Sequence, residues 1–549
     1  MAQGGKILVD ALVANGVGMV FSVPGESYLA VLDGLYDTSI RNIVCRHEGA
    51  CTMMAEAAGK LTGRPGIAMV TRGPGASNAS AGVHVARQDS TPMILLIGQI
   101  ARSDRDREAF QEVDYRAMFG PLAKWVAEID ATDRIPEYMA RAFHVAMSGR
   151  PGPVVLSLPE DVLNAACDVP GLAPARPVIN APGEAAVEAV RDALGRAARP
   201  LLVAGGGQWS AQAAADLARF AAAWDLPVAV ASRRQDRMDN RLPHYVGDLS
   251  AGMSPALKQA VRDADLIISL GSRLGDVATD GYTLIAPARP DKRIVMIHPD
   301  GDLMGTVWRP DPAIAADPRA MIAALAAWPA TQRFGEWTRT LRAGYEDWQR
   351  PRPTPGAVRL EEIILWLSEN MPEDAVMTNG AGNYAVFLHR YFRFKAPFTQ
   401  LAPTSGSMGY GLPAAISAKL HHPGREVVCL AGDGCIQMTI NELSTAAQHG
   451  VAVIVIIADN GQYGTIRMHQ EKHYPGRVSG TALANPDYAA LARAYGGYGE
   501  TVTEGGAFAA AFQRARDSGR FAVITLQLDP EALTSSATLS EIRAAATAG

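Results

Sequence analysis

The densest chemistry in the chain lies between residues 426 and 464. An apolar run over Glu426–Ala431 leads into Gly432-Asp433-Gly434. The stretch MTINELSTAAQH reads as a helix over Met438–His449, stopped by Gly450, and a second apolar run over Val451–Ala458 ends at Asp459-Asn460. A right-handed strand–helix–strand crossover leaves both strand ends on one edge of a sheet, so Asp433 and Asn460 are expected to converge. Gly432 and Gly434 permit close backbone approach, and a helix beginning there would aim free N–H groups and about half a positive charge at an anion. The Asp433 carboxylate, the Asn460 amide oxygen and a backbone carbonyl, that of Gln462, are hard ligands; two phosphate oxygens and a water would complete the octahedron Mg²⁺ prefers. The implied chemistry is a diphosphate held through its metal. Either motif alone reads as an ordinary tight turn. Their spacing across one strand–helix–strand unit favours the metal reading.

A second candidate lies near the N-terminus. Asn42–Arg46 reads as a short strand, followed by His47-Glu48-Gly49-Ala50 and an alanine-rich helix, which places Glu48 in a strand-to-helix turn. An isolated glutamate there is ordinarily a helix-start acid facing the macrodipole. The elements that must position these groups follow from punctuation and apolar runs. Proline-rich stretches at Asp168–Gly183 and Gln349–Gly356 disfavour helix and inner strand and leave three segments, 1–167, 184–348 and 357–549. In each, short β-branched runs alternate with alanine-rich helical patterns: GIAMV, MILLIG and PVVLSL; PLLVAGGG, DLIISLG and RIVMIH; EVVCLAGDG and VAVIVIIADN. Near-continuous apolar runs mark strands buried on both faces. The expected fold is α/β, three doubly wound parallel-sheet domains, with ligands beyond the carboxyl ends of the strands.

Composition limits the partners. The chain has 549 residues, 48% of them hydrophobic, with 51 basic against 56 acidic side chains and a formal charge of −5. That size demands several cores, and the weak acidic balance gives no electrostatic reason to bind nucleic acid. No stretch approaches the ~18 uninterrupted apolar residues of a membrane span. The five cysteines form no CxxC pair and the start lacks a charged, then apolar, leader, so a reduced cytoplasmic protein is expected.

The segment GDGCIQMTINELSTAAQHGVAVIVIIADNGQYG resembles the diphosphate motif of thiamine diphosphate enzymes, and its ELSTAAQ helix is similar to the acetolactate synthase branch. The resemblance spans nearly the whole chain in the order pyrimidine-binding, middle and diphosphate-binding domain. It implies Mg²⁺ on Asp433, Asn460 and the Gln462 carbonyl, and thiamine diphosphate contacts at Gly25, Gly432, Gly434, Gln462 and Gly464. Glu48, in Arg46-His47-Glu48-Gly49-Ala50, resembles the family's catalytic glutamate, which shares a proton with N1′ of the aminopyrimidine so that the imino nitrogen removes the thiazolium C2 proton. Gly406-Ser407-Met408-Gly409 looks like the segment whose glycine carbonyl accepts the 4′-amino group and whose bulky residue bends the cofactor, roles falling to Gly406 and Met408. The turn Asn379–Asn383 resembles a diphosphate contact at Gly382 and Asn383. The family's cofactor lies between subunits, which implies a homodimer or homotetramer.

Ala109–Asp114 and Pro121–Lys124 resemble the acetolactate synthase first domain, where the equivalents of Phe110, Gln111 and Lys124 line the substrate channel; a cationic Lys124 suits an anionic 2-oxo acid. The expected activity is a decarboxylase or carboligase with a pyruvate-type donor. Two departures concern the acceptor. Synthases that couple two 2-oxo acids carry Phe-Asp-Asp-Arg where this chain has Leu274-Gly275-Asp276-Val277, and a tryptophan where it has His469. Loss of a bidentate cation and a flat apolar wall removes the means of recognising a second 2-oxo acid and argues against branched-chain amino-acid biosynthesis. His469, beside His473, is a candidate proton donor to a product alkoxide. Gly205-Gly206-Gly207 matches a dinucleotide fingerprint only in part; family members hold FAD there, which makes FAD a candidate further cofactor. Competing readings are a thiamine diphosphate lyase acting on a 2-hydroxy ketone or diketone, and a non-catalytic nucleotide-binding α/β protein.

Overall fold

A computed structural model describes residues 1–170, 173–287 and 290–548. Gly171 and Leu172 of the first proline-rich stretch, and Gly549 at the end of the third segment, lie outside them. The apolar runs form three six-stranded sheets in which every neighbouring pair is parallel. The first contains β1 (Met19–Ser22), β2 (Arg41–Val44), β3 (Gly66–Val70), β4 (Met93–Gln99), β5 (Trp125–Glu128) and β6 (Pro153–Pro159), in the order β2-β1-β3-β4-β6-β5. The second contains β7 (Pro200–Ala204), β8 (Val228–Ala231), β9 (Tyr245–Leu249), β10 (Leu266–Leu270), β11 (Arg293–His298) and β12 (Ala313–Ala315), in the order β9-β8-β7-β10-β11-β12. The third contains β13 (Val376–Asn379), β14 (Gln400–Leu401), β15 (Val427–Gly432), β16 (Ile454–Asp459), β17 (Tyr498–Val502) and β18 (Ala522–Gln527), in the order β14-β13-β15-β16-β18-β17. Each sheet is thus doubly wound, with a point where its strand order reverses.

The uninterrupted apolar character of the strands has a direct cause. In the second sheet Leu202, Ala204, Ile268 and Leu270 enter one core, while Leu201, Val203, Ile267 and Ile294 enter another on the opposite face. The chain packs as two compact units. Met1–Val178, with Ile416–His422 and Thr439–Val451, forms one around the first sheet; the rest of the chain forms the other and holds both remaining sheets. No helix among the described residues is long and apolar enough to cross a membrane.

Three local expectations are corrected. In place of a single helix over Met438–His449 there are a 3₁₀ turn at Ile440–Glu442 and a short helix at Leu443–Gln448, preceded by a separate helical turn at Asp433–Ile436. Thr439 sits at φ −142°, ψ 17°, and a Thr-Ile-Asn sequence has little helical preference to oppose that break. The break is anchored by Glu442, whose buried carboxylate accepts from the Arg46 amide (3.1 Å) and the Thr445 hydroxyl (2.5 Å). The second strand begins at Ile454 rather than Val451. Gly450, at φ +62°, closes the helix with the Val451 amide donating to Ala446 O (2.8 Å), which spends the first residues of the apolar run on a C-cap. The strand expected at Asn42–Arg46 spans Arg41–Val44, as β2, and ends two residues sooner.

Candidate active site

Parallel pairing of β15 with β16 brings Gly432 opposite Ala458, so Asp433 and Asn460 leave adjacent strands at the same carboxyl edge. Both line a cavity of about 250 Å³ within the second unit, together with Gly382, Asn383, Gly406, Met408, Gly432, Gly434, Gln462 and Gly464. A four-residue turn at Asp433 is too short to supply the expected dipole; two longer helices do so. Asn383–Tyr391 (α1 of the site) and Gly464–His473 (α2) both start at the cavity wall, with no side chain capping them and no acid in the first turn. Their first N–H groups therefore lack an internal partner and favour an anion. Small residues keep the wall open: a Cβ on Gly382 or Gly432 would lie 2.6 or 2.9 Å from the Tyr384 ring, and one on Gly434 2.5 Å from the Tyr463 ring. Met408 lines the cavity while packing on the third sheet's core, and Gly406 turns at φ +68°.

The donor set fits a hard cation. Asp433 is 4% exposed; its Oδ1 accepts from the Gly434 amide (2.9 Å) and its Oδ2 from Asn485 Nδ2 (2.8 Å). Burial raises its carboxyl from its ordinary value, against the lowering effect of those two donors, and the adjacent Asp459 adds to the rise. A divalent cation would reverse that penalty. The Asn460 oxygen accepts from the Gln462 amide (3.3 Å), which folds the turn so that all three predicted ligands face one cavity. The Asn383 side chain is committed to protein: Nδ2 donates to Leu533 O (3.1 Å) and Oδ1 accepts from Thr465 Oγ1 (3.0 Å). Its backbone amide, at the start of α1, is what remains for an anion. Sequence reasoning missed Asn485, Asp459 and Tyr384. Asn485-Pro486-Asp487 reads only as a turn, and nothing in its spacing connects it to Asp433.

In the first unit Glu48 opens the helix Glu48–Thr62, capped by His47, whose Nδ1 accepts from the Gly49 amide (3.0 Å). Glu48 Oε2 accepts from Asn78 Nδ2 (3.0 Å). A Cβ on Gly75 would approach Oε1 at 3.3 Å, so glycine there leaves that oxygen accessible. Gly25 follows β1, where a Cβ would strike Thr71 at 2.5 Å.

Residues 2–118, 187–325 and 380–526 match, in that order, the N-terminal TPP binding domain, the central domain and the C-terminal TPP binding domain of thiamine pyrophosphate enzymes. The chain is 32% identical over 506 residues to the acetolactate synthase isozyme 2 large subunit of Escherichia coli, covering 91% of each chain. It is 31% identical over 542 residues to the acetolactate synthase large subunit of Corynebacterium glutamicum (94% of this chain, 84% of that one) and 33% over 524 residues to that of Parasynechococcus marenigrum (91% and 84%). The chain belongs to the thiamine pyrophosphate enzyme family. It is a thiamine diphosphate-dependent enzyme of the acetolactate synthase-like kind.

Not every expected channel residue of this thiamine pyrophosphate enzyme has a free functional group. Lys124 Nζ donates to Val145 O (2.6 Å) and to Ser148 O, at the end of the helix Ile135–Met147. Its ammonium lies where a helix C-terminus favours a cation. Phe110 is 74% exposed, and Gln111 follows at φ +65°, its side chain against Gly73. His469 lies on α2, not in a loop, exposed and stacked on His473 (6.3 Å). Val277 begins a 3₁₀ turn, 38% exposed. At the reversal point of the second sheet the glycine turn closes on protein. The Gly205 amide donates to Leu270 O (3.0 Å), the buried Trp209 indole donates to Gly205 O (2.6 Å), and a Cβ on Gly206 would lie 2.3 Å from Gly271 O.

Proposed function

We propose that this enzyme is a Mg²⁺-dependent 2-oxo acid decarboxylase or carboligase with a pyruvate-type donor. The observation that carries the reading is the meeting of Asp433, Asn460, Gln462 and two uncapped helix starts around one cavity, in a chain similar to acetolactate synthase large subunits over nine-tenths of its length. Bound thiamine diphosphate would supply a thiazolium able to store the electron pair released when a 2-oxo acid loses CO₂. Asp433, Asn460 and the Gln462 carbonyl would hold Mg²⁺, and the amides opening α1 and α2 would hold the diphosphate. The Gly406 carbonyl would accept the 4′-amino group, with Met408 against the bend of the cofactor. Glu48 Oε1, the oxygen not taken by Asn78, would exchange the proton at N1′. The active unit is at least a homodimer in this reading, as in the family, and is cytoplasmic. No step uses FAD.

Incubation with pyruvate, thiamine diphosphate and Mg²⁺ should release CO₂, and separation of acetolactate or acetoin from acetaldehyde distinguishes carboligation from simple decarboxylation. Glu48→Gln should lower the rate by about 10²–10⁴-fold while cofactor binding persists; unchanged turnover would remove Glu48 from the mechanism. The valine at 277 and the histidine at 469 favour a second reading, a lyase for a 2-hydroxy ketone or diketone, which would convert its substrate without CO₂.

A further inference from the structure

One residue outside the expected ligand set controls the geometry of that cation site. The amide of Asn485 donates to Asp433 Oδ2 at 2.8 Å and to Asp459 Oδ1 at 2.8 Å. These carboxylates stand at the ends of adjacent parallel strands, β15 and β16, where two like charges would turn apart if nothing lay between them. The two hydrogens of one NH₂ group are matched to two acceptors, a division that no hydroxyl or single N–H provides. Asp433 then has one oxygen on the Gly434 amide and the other on Asn485, which fixes the plane of the carboxylate and leaves lone pairs for a cation. Asp459, similarly held, accepts from the Gly461 amide (3.2 Å) and so shapes the turn that presents Asn460 and Gln462.

The segment carrying Asn485 is itself registered on that turn. The Tyr463 amide donates to Thr481 O (2.8 Å), the Leu483 amide donates to Gly461 O (2.9 Å), and Gln462 bridges Ala482. Residues 481–485 thus lie along residues 461–463 as a backing strip, and Asn485 reaches past the strip to tie the Asp433 loop to it. Both sources of metal ligands are held by one side chain.

We propose that Asn485 is a positioning residue of the divalent-cation site, setting its affinity by orienting Asp433 and the Asp459–Gln462 turn without touching the metal. The proposal rests on the Mg²⁺ reading above. Groups that orient metal ligands typically govern affinity by about 10–100-fold. The test is Mn²⁺ binding, read by electron paramagnetic resonance in the presence of thiamine diphosphate, for the full-length wild type, Asn485→Ala, Asn485→Leu and Asp433→Ala, with the thermal midpoint of each metal-free protein measured alongside. Asn485→Ala and the similarly shaped Asn485→Leu, which lacks the NH₂ group and adds no charge, should each weaken Mn²⁺ by about 10–100-fold while the metal-free midpoint of at least the leucine variant stays near that of wild type. Wild-type Mn²⁺ affinity in both variants, with Asp433→Ala still abolishing binding, overturns the role of Asn485 and leaves the cation site standing. A fall in the metal-free midpoint of both variants without a change in Mn²⁺ affinity makes Asn485 purely structural and also overturns the proposal. Absence of Mn²⁺ binding in the wild type overturns the cation reading itself, and this inference with it.

Discussion

At the scale of single residues, type and position in the sequence were informative where a strand end fixed direction, and misleading where a side chain could find a partner far along the chain. Asp433, Asn460 and Gln462 were legible because each follows a buried strand within one crossover, and they do line one cavity. The protein contacts of Lys124 were not, because the carbonyls that take its ammonium belong to a helix end at Val145 and Ser148. Its place there carries a prediction: Lys124→Met should cost about 1 kcal/mol through loss of a cation at a helix C-terminus, lowering the thermal midpoint by roughly 2–4 °C. The KM for a 2-oxo acid should stay within about twofold, since an electrostatic role toward substrate would be worth a factor of ten for every 1.4 kcal/mol. A rise in KM with an unchanged midpoint would restore the channel role. Asn485 left no trace in the sequence for the same reason as Lys124: its acceptors, Asp433 and Asp459, are chosen by loop packing.

Among elements, the helices that open on the cavity are held by groups remote from it. Glu471, on α2, is buried and paired with Arg467 (2.6 Å) and with Arg543 (2.8 Å) of the helix Leu539–Ala548, and accepts from the Gly476 amide (2.9 Å). The Arg543 bond above all pushes its carboxyl down to about 2 from an ordinary 4.5. A depressed folded-state value means that the unfolded chain binds the proton first on acidification. The stabilisation is therefore complete above about pH 4.5 and is lost as the pH falls toward 2. Glu471→Gln should cost about 3 kcal/mol at pH 7, the loss expected when one partner of a buried pair is removed. Urea unfolding at pH 7 and pH 3 should show that difference shrinking at the lower pH; a constant difference would mean that packing, not charge, is what the glutamate supplies. The broken helix after Gly434 shows the limit of element-level reading. Periodicity and an alanine-rich composition suggested one helix, but the buried hydrogen bonds of Glu442 outweigh the small propensity differences along Thr439-Ile440-Asn441.

For the whole molecule, cofactor and folding should be coupled. The cavity is bounded by segments as distant as residues 360 and 533, so a ligand filling it ties together elements that otherwise depend on the core alone. Thiamine diphosphate with Mg²⁺ at about a hundred times its Kd should add about 2.7 kcal/mol of stability, read as an upward shift in calorimetry. Asp433→Ala should lose the part of the shift that depends on Mg²⁺, and no shift in the wild type would deny the cavity its cofactor. The sequence by itself determined three parallel sheets and the strand ends at which polar groups gather, because burial on two faces demands unbroken apolar runs and crossover handedness then leaves one choice of edge. The tertiary structure alone decided which polar groups remain available to a ligand: Lys124 and the Asn383 side chain are taken up by protein, Trp209 closes the glycine turn, and Asn485 spans two carboxylates. A hydrogen bond is a relation between atoms in space, and residues far apart in the chain acquire it only when the fold brings them together.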